Sequence, residues 1–182
     1  MAKKKGKERR SGASTPAISA CVAAGIVHTV HQFPHSDQNF GEEAAHWLGE
    51  HKGIAADRIF KTLVLQLHGV KGGMHSESAK VHLAVAIVPV THKLNVKAAA
   101  AALGASKADL ADPHDAQRST GYVPGGISPL GQRKQLPTVI HESALSYDTI
   151  FVSGGRRGWD IELSPTSLVE LCDATVADIT AA

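Results

Sequence analysis

Lys61 is a cation in a stretch of sequence that otherwise predicts buried structure. It lies within residues 59–67, whose aliphatic residues predict a β-strand. Because side chains alternate along a strand, Lys61 is expected to share one face with four aliphatic residues. These are Ile59, Leu63, Leu65 and Leu67. Since lysine is almost never fully buried without a partner, the ammonium group either reaches solvent from the strand end or lines a cleft and meets an anionic or carbonyl oxygen.

Residues 119–131 form a segment rich in glycine and proline. Four glycines and two prolines occur in these thirteen residues, which predicts a rigid, irregular loop. A backbone exposed in this way can direct several N–H groups at one oxygen, as an oxyanion hole or a site for a terminal ribose requires. The segment is not a Walker loop, because no Gly-Lys-Ser/Thr follows it. A purely structural crossover is the competing interpretation, although the adjacent Gly125 and Gly126 between two prolines favour a functional loop.

Residues 153–162 combine three glycines, two arginines and two acidic residues. Asp160 and Glu162 are expected on one face of a strand, and paired carboxylates are typical of glycosidases. A half-buried strand with its polar side toward solvent gives the same pattern, and nothing else in the sequence indicates a sugar site. Arg156 and Arg157 either face phosphates or lie in a solvated hairpin turn.

The eleven histidines do not predict a metal site. No His-Glu-x-x-His motif occurs, and His28 and His31 would point to opposite faces of a strand. We therefore expect neither a metal nor another cofactor.

The elements that must position these residues alternate without a regular βαβ order. Helix starts are indicated by a capping residue before proline at Thr15, Asp112 and Ser164, and by Asn95. The sequence predicts a mixed α/β (α+β) fold in one domain, with a central mixed β-sheet surrounded by helices. Strands 59–67 and 81–90 are expected to form a long hairpin. The predicted strands are 26–33, 59–67, 81–90, 137–141, 149–153, 159–163 and 176–179, and the predicted helices are 16–25, 42–51, 96–103, 113–118 and 165–171.

Length and composition fit one ordinary domain with a basic tail. The chain has 182 residues, of which 43% are hydrophobic, and lacks the run of ~18 apolar residues that a membrane span needs. Residues 1–14 hold six basic residues and one acid, so they carry +5 and residues 15–182 carry −3 of the net +2. We expect a disordered tail over 1–14, either merely solvated or holding RNA loosely, and a domain over 15–182. The two cysteines, far apart, predict no disulfide framework and favour the cytoplasm.

Five segments occur in the order known from one protein family. Together they resemble the YbaK group of Cys-tRNA(Pro) deacylases, in the superfamily that includes the editing insertion of prolyl-tRNA synthetases. The resemblance covers about residues 15–180. The segments are Phe60-Lys-Thr-Leu63, Gln117-Arg-Ser-Thr-Gly-Tyr122, Gly125-Gly-Ile-Ser-Pro-Leu-Gly131, Val152-Ser-Gly-Gly155 and Asp160-Ile-Glu-Leu163.

The resemblance implies a cytoplasmic editing enzyme that hydrolyses cysteine mischarged onto proline tRNA, or Cys-tRNA(Cys). Editing is needed because one methylene is worth only ~1–3 kcal/mol to a synthetase pocket, which cannot strongly exclude similar side chains. In this family the thiol of the substrate attacks its own ester carbonyl, so the reaction needs no protein nucleophile and is also classed as a lyase step. The implied partners are the aminoacylated 3′ end of tRNA and prolyl-tRNA synthetase, with no membrane.

The resemblance also assigns the site residues. Lys61 would hold the aminoacyl-adenosine end, and the loop from Gly125 to Pro129, which includes Gly126 and Ser128, would line the ester. Phe33 stands where relatives often carry tyrosine, which leaves the preferred amino acid open. The positions matched around the substrate pocket are Phe33, Phe40, Thr62, Ser153, Gly154 and Asp160.

Two alternatives to a Cys-tRNA(Pro) deacylase remain at this point. Related editing domains prefer alanine, so the substrate could be Ala-tRNA(Pro). A former editing domain could also bind aminoacyl-tRNA or a synthetase without catalysis. The presence of Lys61 together with both glycine-rich loops argues against a binding module, because binding alone would not need groups directed at the ester oxygens.

Overall fold

The computed structural model describes residues 14–36, 40–71 and 82–182. Within these ranges short 3-10 helices also occur at Ala56–Arg58 and Glu142–Ser146. The predicted tail falls on residues 1–14, of which 1–13 lie outside the described residues, as do residues 72–81 between two strands. The elements in chain order are α1 (Pro16–Ala23), β1 (His28–Gln32), α2 (Phe40–Lys52), β2 (Phe60–Val70), β3 (His82–Pro89), α3 (Val96–Ala102), β4 (Ala105–Leu110), α4 (Pro113–Thr120), β5 (Thr138–His141), β6 (Ile150–Arg156), β7 (Trp159–Leu163), α5 (Pro165–Cys172) and β8 (Thr175–Ala177).

The mixed α/β class is confirmed, with the strands divided between two sheets. A three-stranded antiparallel sheet has the order β1-β7-β6, and a five-stranded sheet has the order β4-β2-β3-β5-β8. The larger sheet is mixed, because β2 pairs antiparallel with β3 and β4, whereas β5 runs parallel to β3 and β8. The predicted hairpin of β2 and β3 is confirmed. No helix in the described ranges is long and apolar enough to cross a membrane.

Strand β2 is buried on both faces, and this revises the expectation of one core-facing side. Phe60 and Val64 pack into the main core, where the two sheets meet. Leu65 and Leu67 pack on the opposite face against the alanines of α3. Ile59, which precedes the strand, belongs to a third cluster with Leu48 of α2 and Phe151 of β6. Lys61 therefore lies on β2 between residues that belong to three different apolar clusters.

The starts of α1, α3 and α4 were predictable because each has a local cap, whereas Ser164 makes no side-chain capping hydrogen bond at the start of α5. The Ile18 N–H donates to Thr15 Oγ1 at 3.2 Å, and the Ala98 N–H donates to Asn95 Oδ1 at 3.0 Å. Asp112 caps α4, which ends at Gly121 with φ +82°. Strand β4 is absent from the prediction, since its sequence Ala-Ser-Lys-Ala-Asp-Leu has low β propensity and becomes a strand by pairing with β2.

Gly131 anchors the glycine-rich loop against α1. Its φ is +64°, and a Cβ at this position would collide with the carbonyl group of Pro16 and lie 2.8 Å from the Ala17 nitrogen. The other half of the loop is fixed by the buried Tyr122, whose hydroxyl donates to the Leu130 carbonyl at 2.6 Å. The loop is therefore held at both ends by close backbone contacts.

We expect Gly131→Ala to destabilise the fold much more than Gly104→Ala does. Both glycines have positive φ, but a Cβ at Gly104 would meet nothing within 4 Å. The control substitution therefore reports strain of the backbone alone, about 1 kcal/mol, whereas Gly131→Ala adds overpacking of about 1–3 kcal/mol. Urea unfolding of both variants measures the difference, and equal losses would show that the loop yields freely at Gly131.

Candidate active site

A cleft of about 130 Å³ lies where the start of β2 meets the β6–β7 hairpin, α2 and the glycine-rich loop. Its volume is below the ~300–1,000 Å³ of pockets for drug-sized ligands and suits a group the size of a small amino acid. Six of the predicted site residues line the cleft. Phe40 is the first residue of α2, and its side chain lies outside the described part of the structure. The six are Phe33, Lys61, Thr62, Gly125, Ser153 and Asp160.

Lys61 is, with Arg156, one of the two cationic side chains among the described residues that line the cleft. It is the second residue of β2, opposite Val88 of β3, and it is half-buried. None of the salt bridges between described residues involves its ammonium group. Both sequence interpretations hold in part: Lys61 sits near the strand end, and its side chain lines a cleft where it can meet an oxygen of a ligand.

The hydroxyl of Thr62 is buried without a hydrogen-bond partner among the described residues. Buried polar atoms are rarely left without a partner in native proteins. Thr62 lines the cleft beside Lys61, so this unsatisfied hydroxyl belongs to a residue of the cleft wall. Two adjacent residues of β2 thus border the same cleft.

Asp160 is a buried carboxyl group in the wall of the cleft. Its side chain is 7% exposed, and burial raises its pKa to about 7 from the ordinary value of 3.8. No hydrogen bond or salt bridge joins its carboxyl group to another of the described residues. Strand β7 places it opposite His31 and Ser153, on the face of the sheet that packs toward α2. A bound cation would complete this site and favour the ionised form.

Glu162 lies on the same strand face as Asp160 but has a different environment. Thr149 Oγ1 donates to its Oε2 at 2.6 Å, His31 Nε2 lies 3.0 Å from its Oε1, and Arg58 Nη2 lies 3.5 Å from Oε2. Burial opposes ionisation, but these hydrogen bonds and the charge of Arg58 hold the pKa of Glu162 below its usual value. Glu162 therefore joins structural elements, and the two carboxylates do not form a glycosidase pair in one site.

Strand β6 carries two extra residues, Gly154 and Gly155, where its pairing with β7 shifts register between Ser153 and Arg156. The Thr15 hydroxyl donates to the Gly154 carbonyl at 2.5 Å, which fixes this irregularity from α1. Such bulges redirect neighbouring side chains. Here Ser153 remains paired with Asp160, and both face the cleft.

Four predicted site residues lie behind the lining and build its support. A Cβ at Gly126 would lie 3.1 Å from the Arg157 nitrogen, so glycine allows the loop to pack on the hairpin. Ser128 Oγ accepts from the Leu130 N–H at 3.2 Å, and the Pro129 carbonyl accepts from the Cys172 thiol at 3.3 Å. Gly154, the fourth, holds the bulge. These four residues connect the core to Gly125, whose φ is +81°.

Most apolar walls of the cleft were missed by sequence reasoning. Gly41 and Ala44 come from α2, whereas Ile127 lies within the predicted loop from Gly125 to Pro129. Arg156 and Trp159 of the β6–β7 hairpin form the rim. No motif marks small or apolar residues as walls, because their role depends on which elements fold together. In the described part of the chain no group of three histidine, cysteine or acidic side chains could hold a metal.

We expect Asp160→Asn to gain stability relative to the wild type as pH rises. The folded state keeps the Asp160 proton up to about pH 7, whereas the unfolded chain releases it near pH 4. The contribution of Asp160 to wild-type stability should therefore be greatest below pH 4 and fall by on the order of 4 kcal/mol as pH rises through 7. Urea unfolding of both proteins from pH 4 to 8 measures this, and a pH-independent difference would contradict the burial of a protonated carboxyl group.

Glu162→Gln is a matched control with the opposite sign. Because the pKa of Glu162 is lowered, its carboxylate stabilises the folded state above its ordinary value of 4.5, and this contribution is lost as pH falls. The variant should be less stable than the wild type near pH 7, with the difference shrinking toward acid. The same series of urea unfolding experiments measures both effects.

Comparisons with known proteins identify relatives of this chain. Residues 42–171 match the family described as "Aminoacyl-tRNA editing domain". A relative from Enterococcus faecalis, named "Putative Cys-tRNA(Pro)/Cys-tRNA(Cys) deacylase EbsC", is 33% identical over 99% of this chain and 98% of its own length. The resemblance drawn from the five segments is thus confirmed at the level of the family.

Solved structures share the fold at lower identity. One described as a "putative trans-editing enzyme for prolyl tRNA synthetase" is 24% identical, with a TM-score of 0.74 over 94% of this chain and all of that chain. The structure of a hypothetical protein has the same identity and TM-score over 92% of this chain and 100% of its own. The family match and the 33% identity over nearly the whole length show that this chain belongs to the aminoacyl-tRNA editing domain family.

Proposed function

We propose that this chain is a trans-editing deacylase that removes cysteine from Cys-tRNA(Pro) or Cys-tRNA(Cys). The observation that carries the proposal is the small cleft, in which Lys61, the Thr62 hydroxyl and Asp160 lack partners among the described residues. A cation, a hydroxyl and an acid in one small volume match the carbonyl, ribose and amino groups of an aminoacyl ester. The relative named as a deacylase of these two substrates supports this choice.

Each group of the cleft has a proposed role. Lys61 holds the oxygens of the ester and of the terminal ribose, and the backbone at Gly125 steadies the carbonyl oxygen as negative charge develops there. Asp160 binds the α-ammonium group of the aminoacyl moiety, whose charge favours the ionised carboxylate. Thr62 and Ser153 supply hydroxyls to the same ligand, and the ring of Phe33 forms an apolar wall.

The nucleophile in this mechanism is the thiol of the substrate. Its sulfur attacks the ester carbonyl carbon, the bond from that carbon to the ribose oxygen breaks, and the ribose oxygen takes up a proton. The products are tRNA and a cyclic cysteine thiolactone, which water opens. The protein's own thiols are unsuited to attack, because Cys21 and Cys172 are buried outside the cleft and burial raises both of their pKa values, that of Cys172 to about 12.

The cellular setting follows from the substrate. A deacylase of mischarged tRNA would work in the cytoplasm and act on tRNA released by prolyl-tRNA synthetase, which is its proposed protein partner. The aminoacylated 3′ end of tRNA is the ligand on which the proposal depends.

We expect Lys61→Ala to lower kcat/KM for Cys-tRNA(Pro) by about 30- to 1,000-fold. Loss of an oxygen-facing charge in a sheltered site costs about 2–4 kcal/mol of transition-state stabilisation. Lys97→Ala, at an exposed position on α3, is the matched control and should keep full activity. Deacylation assays with circular dichroism of each variant provide the measurement, and normal turnover by folded Lys61→Ala would refute the proposed role.

Ser-tRNA(Pro) should be deacylated far more slowly than Cys-tRNA(Pro), although serine and cysteine have nearly the same size. A thiol with a pKa of ~8.5 forms its nucleophilic anion near neutral pH, whereas an alcohol needs an activating base. Single-turnover rates at saturating enzyme measure the chemical step for both esters. Comparable rates would instead indicate a bound water as nucleophile, with Asp160 as its base.

A further inference from the structure

A second, wider groove opens from the rim of the cleft. It encloses about 620 Å³ and shares Phe33, His35, Arg156 and Trp159 with the cleft. Beyond these shared residues it extends along the β6–β7 hairpin to Arg157 and to Val123 of the glycine-rich loop. A ligand whose reacting end occupies the cleft would therefore continue into this groove.

The groove is a positive patch on a domain whose overall charge is negative. Residues 15–182 carry −3, whereas the described residues that line the groove include Arg156 and Arg157 and no carboxylate. Arg157 Nε donates to the Pro124 carbonyl at 2.9 Å, and this bond joins its guanidinium group to the glycine-rich loop. The groove therefore presents arginine side chains that a polyanion can contact.

Aromatic rings lie beside these charges. The guanidinium carbon of Arg156 lies 5.0 Å from the centre of the Trp159 ring, and both residues pair across the hairpin. Phe33 stacks on Trp47 with 5.9 Å between ring centres, which holds Phe33 in place. The Phe33 N–H donates to the Gly158 carbonyl at 2.8 Å, so the aromatic segment and the hairpin are fixed to each other. Arginines beside flat rings are the means by which proteins bind single-stranded nucleic acid.

We propose that this groove binds the unpaired nucleotides that precede the terminal adenosine of tRNA. The inference rests on the proposed function, because it takes the aminoacyl ester to lie in the cleft. Arg156 and Arg157 contact the phosphates, and a base packs on the Trp159 ring. Of the two interpretations that the sequence leaves for these arginines, the groove favours contact with phosphates over a merely solvated turn.

The first test measures RNA binding without any ester. A hairpin RNA that ends in a four-nucleotide 3′ overhang is compared with the same hairpin made blunt. The wild-type chain should bind the overhang RNA at least tenfold more tightly. Arg156→Ala and Trp159→Ala should reduce this preference to less than threefold, Trp159→Phe should retain most of it, and the control Lys97→Ala should retain all of it. Equal affinity of the wild type for both RNAs, or an unchanged preference in the alanine variants, would overturn the proposal.

The second test separates the groove from the reaction. Arg156→Ala should lower kcat/KM for a cysteinyl hairpin RNA at least tenfold more than for the 3′-cysteinyl ester of adenosine, which is too short to reach the groove. Equal losses on the two esters would overturn the proposal, because Arg156 would then act on the aminoacyl end. A wild-type chain inactive on both esters would contradict the proposed function, while the comparison of overhang and blunt RNA would still decide whether the groove binds RNA.

Discussion

The start of β2 is tied to the three-stranded sheet through Arg58, and the position of the cleft depends on this tie. Arg58 donates from Nε to the Thr149 carbonyl at 3.1 Å and from Nη2 to the Thr149 hydroxyl at 2.6 Å, and that hydroxyl donates to Glu162. The next residue, Ile59, forms a parallel bridge with Phe151. Charge-assisted hydrogen bonds of this kind are strong and directional. Since Lys61 follows three residues later, the tie places Lys61 at the cleft that Asp160 also lines.

The same arrangement places polar groups where they reduce the stability of the fold. Asp160 is buried without a counter-charge, and the Thr62 hydroxyl lacks a partner among the described residues. Each costs free energy in the empty protein, because burial removes water without replacing its hydrogen bonds. Proteins break local rules of this kind mainly at functional sites. Glu162, on the same strand face, has hydrogen-bond and charged partners. The fold can therefore provide partners for a carboxylate on this face, but it provides none for Asp160 among the described residues.

The sequence was sufficient to predict features that depend on neighbouring residues, but not features that depend on contacts between distant segments. Caps and prolines gave the helix starts, and Trp159–Leu163 was predicted with its observed bounds, because hairpin strands alternate clearly. The separation into two sheets was not predictable, since it depends on which strands pair. Lys61 was identified because a charge in an apolar pattern is conspicuous, whereas Asp160 was assigned through the family resemblance. Ala44 carries no such signal, as it becomes a wall only after α2 packs over the strands.

Under the proposed mechanism, both the size of the cleft and the chemical step contribute to discrimination between aminoacyl esters. A volume of about 130 Å³ excludes large side chains, but a pocket cannot strongly reject a smaller one, and one methylene is worth only ~1–3 kcal/mol. Under the proposed mechanism the substrate that carries a thiol brings its own nucleophile, so an alanyl or prolyl ester that enters the cleft lacks the reacting group. Selectivity then resides in the chemical step, and the protein has to hold and orient the ester rather than attack it. This requirement agrees with a site built from a lysine, a buried acid and backbone groups, with both protein thiols kept in the core.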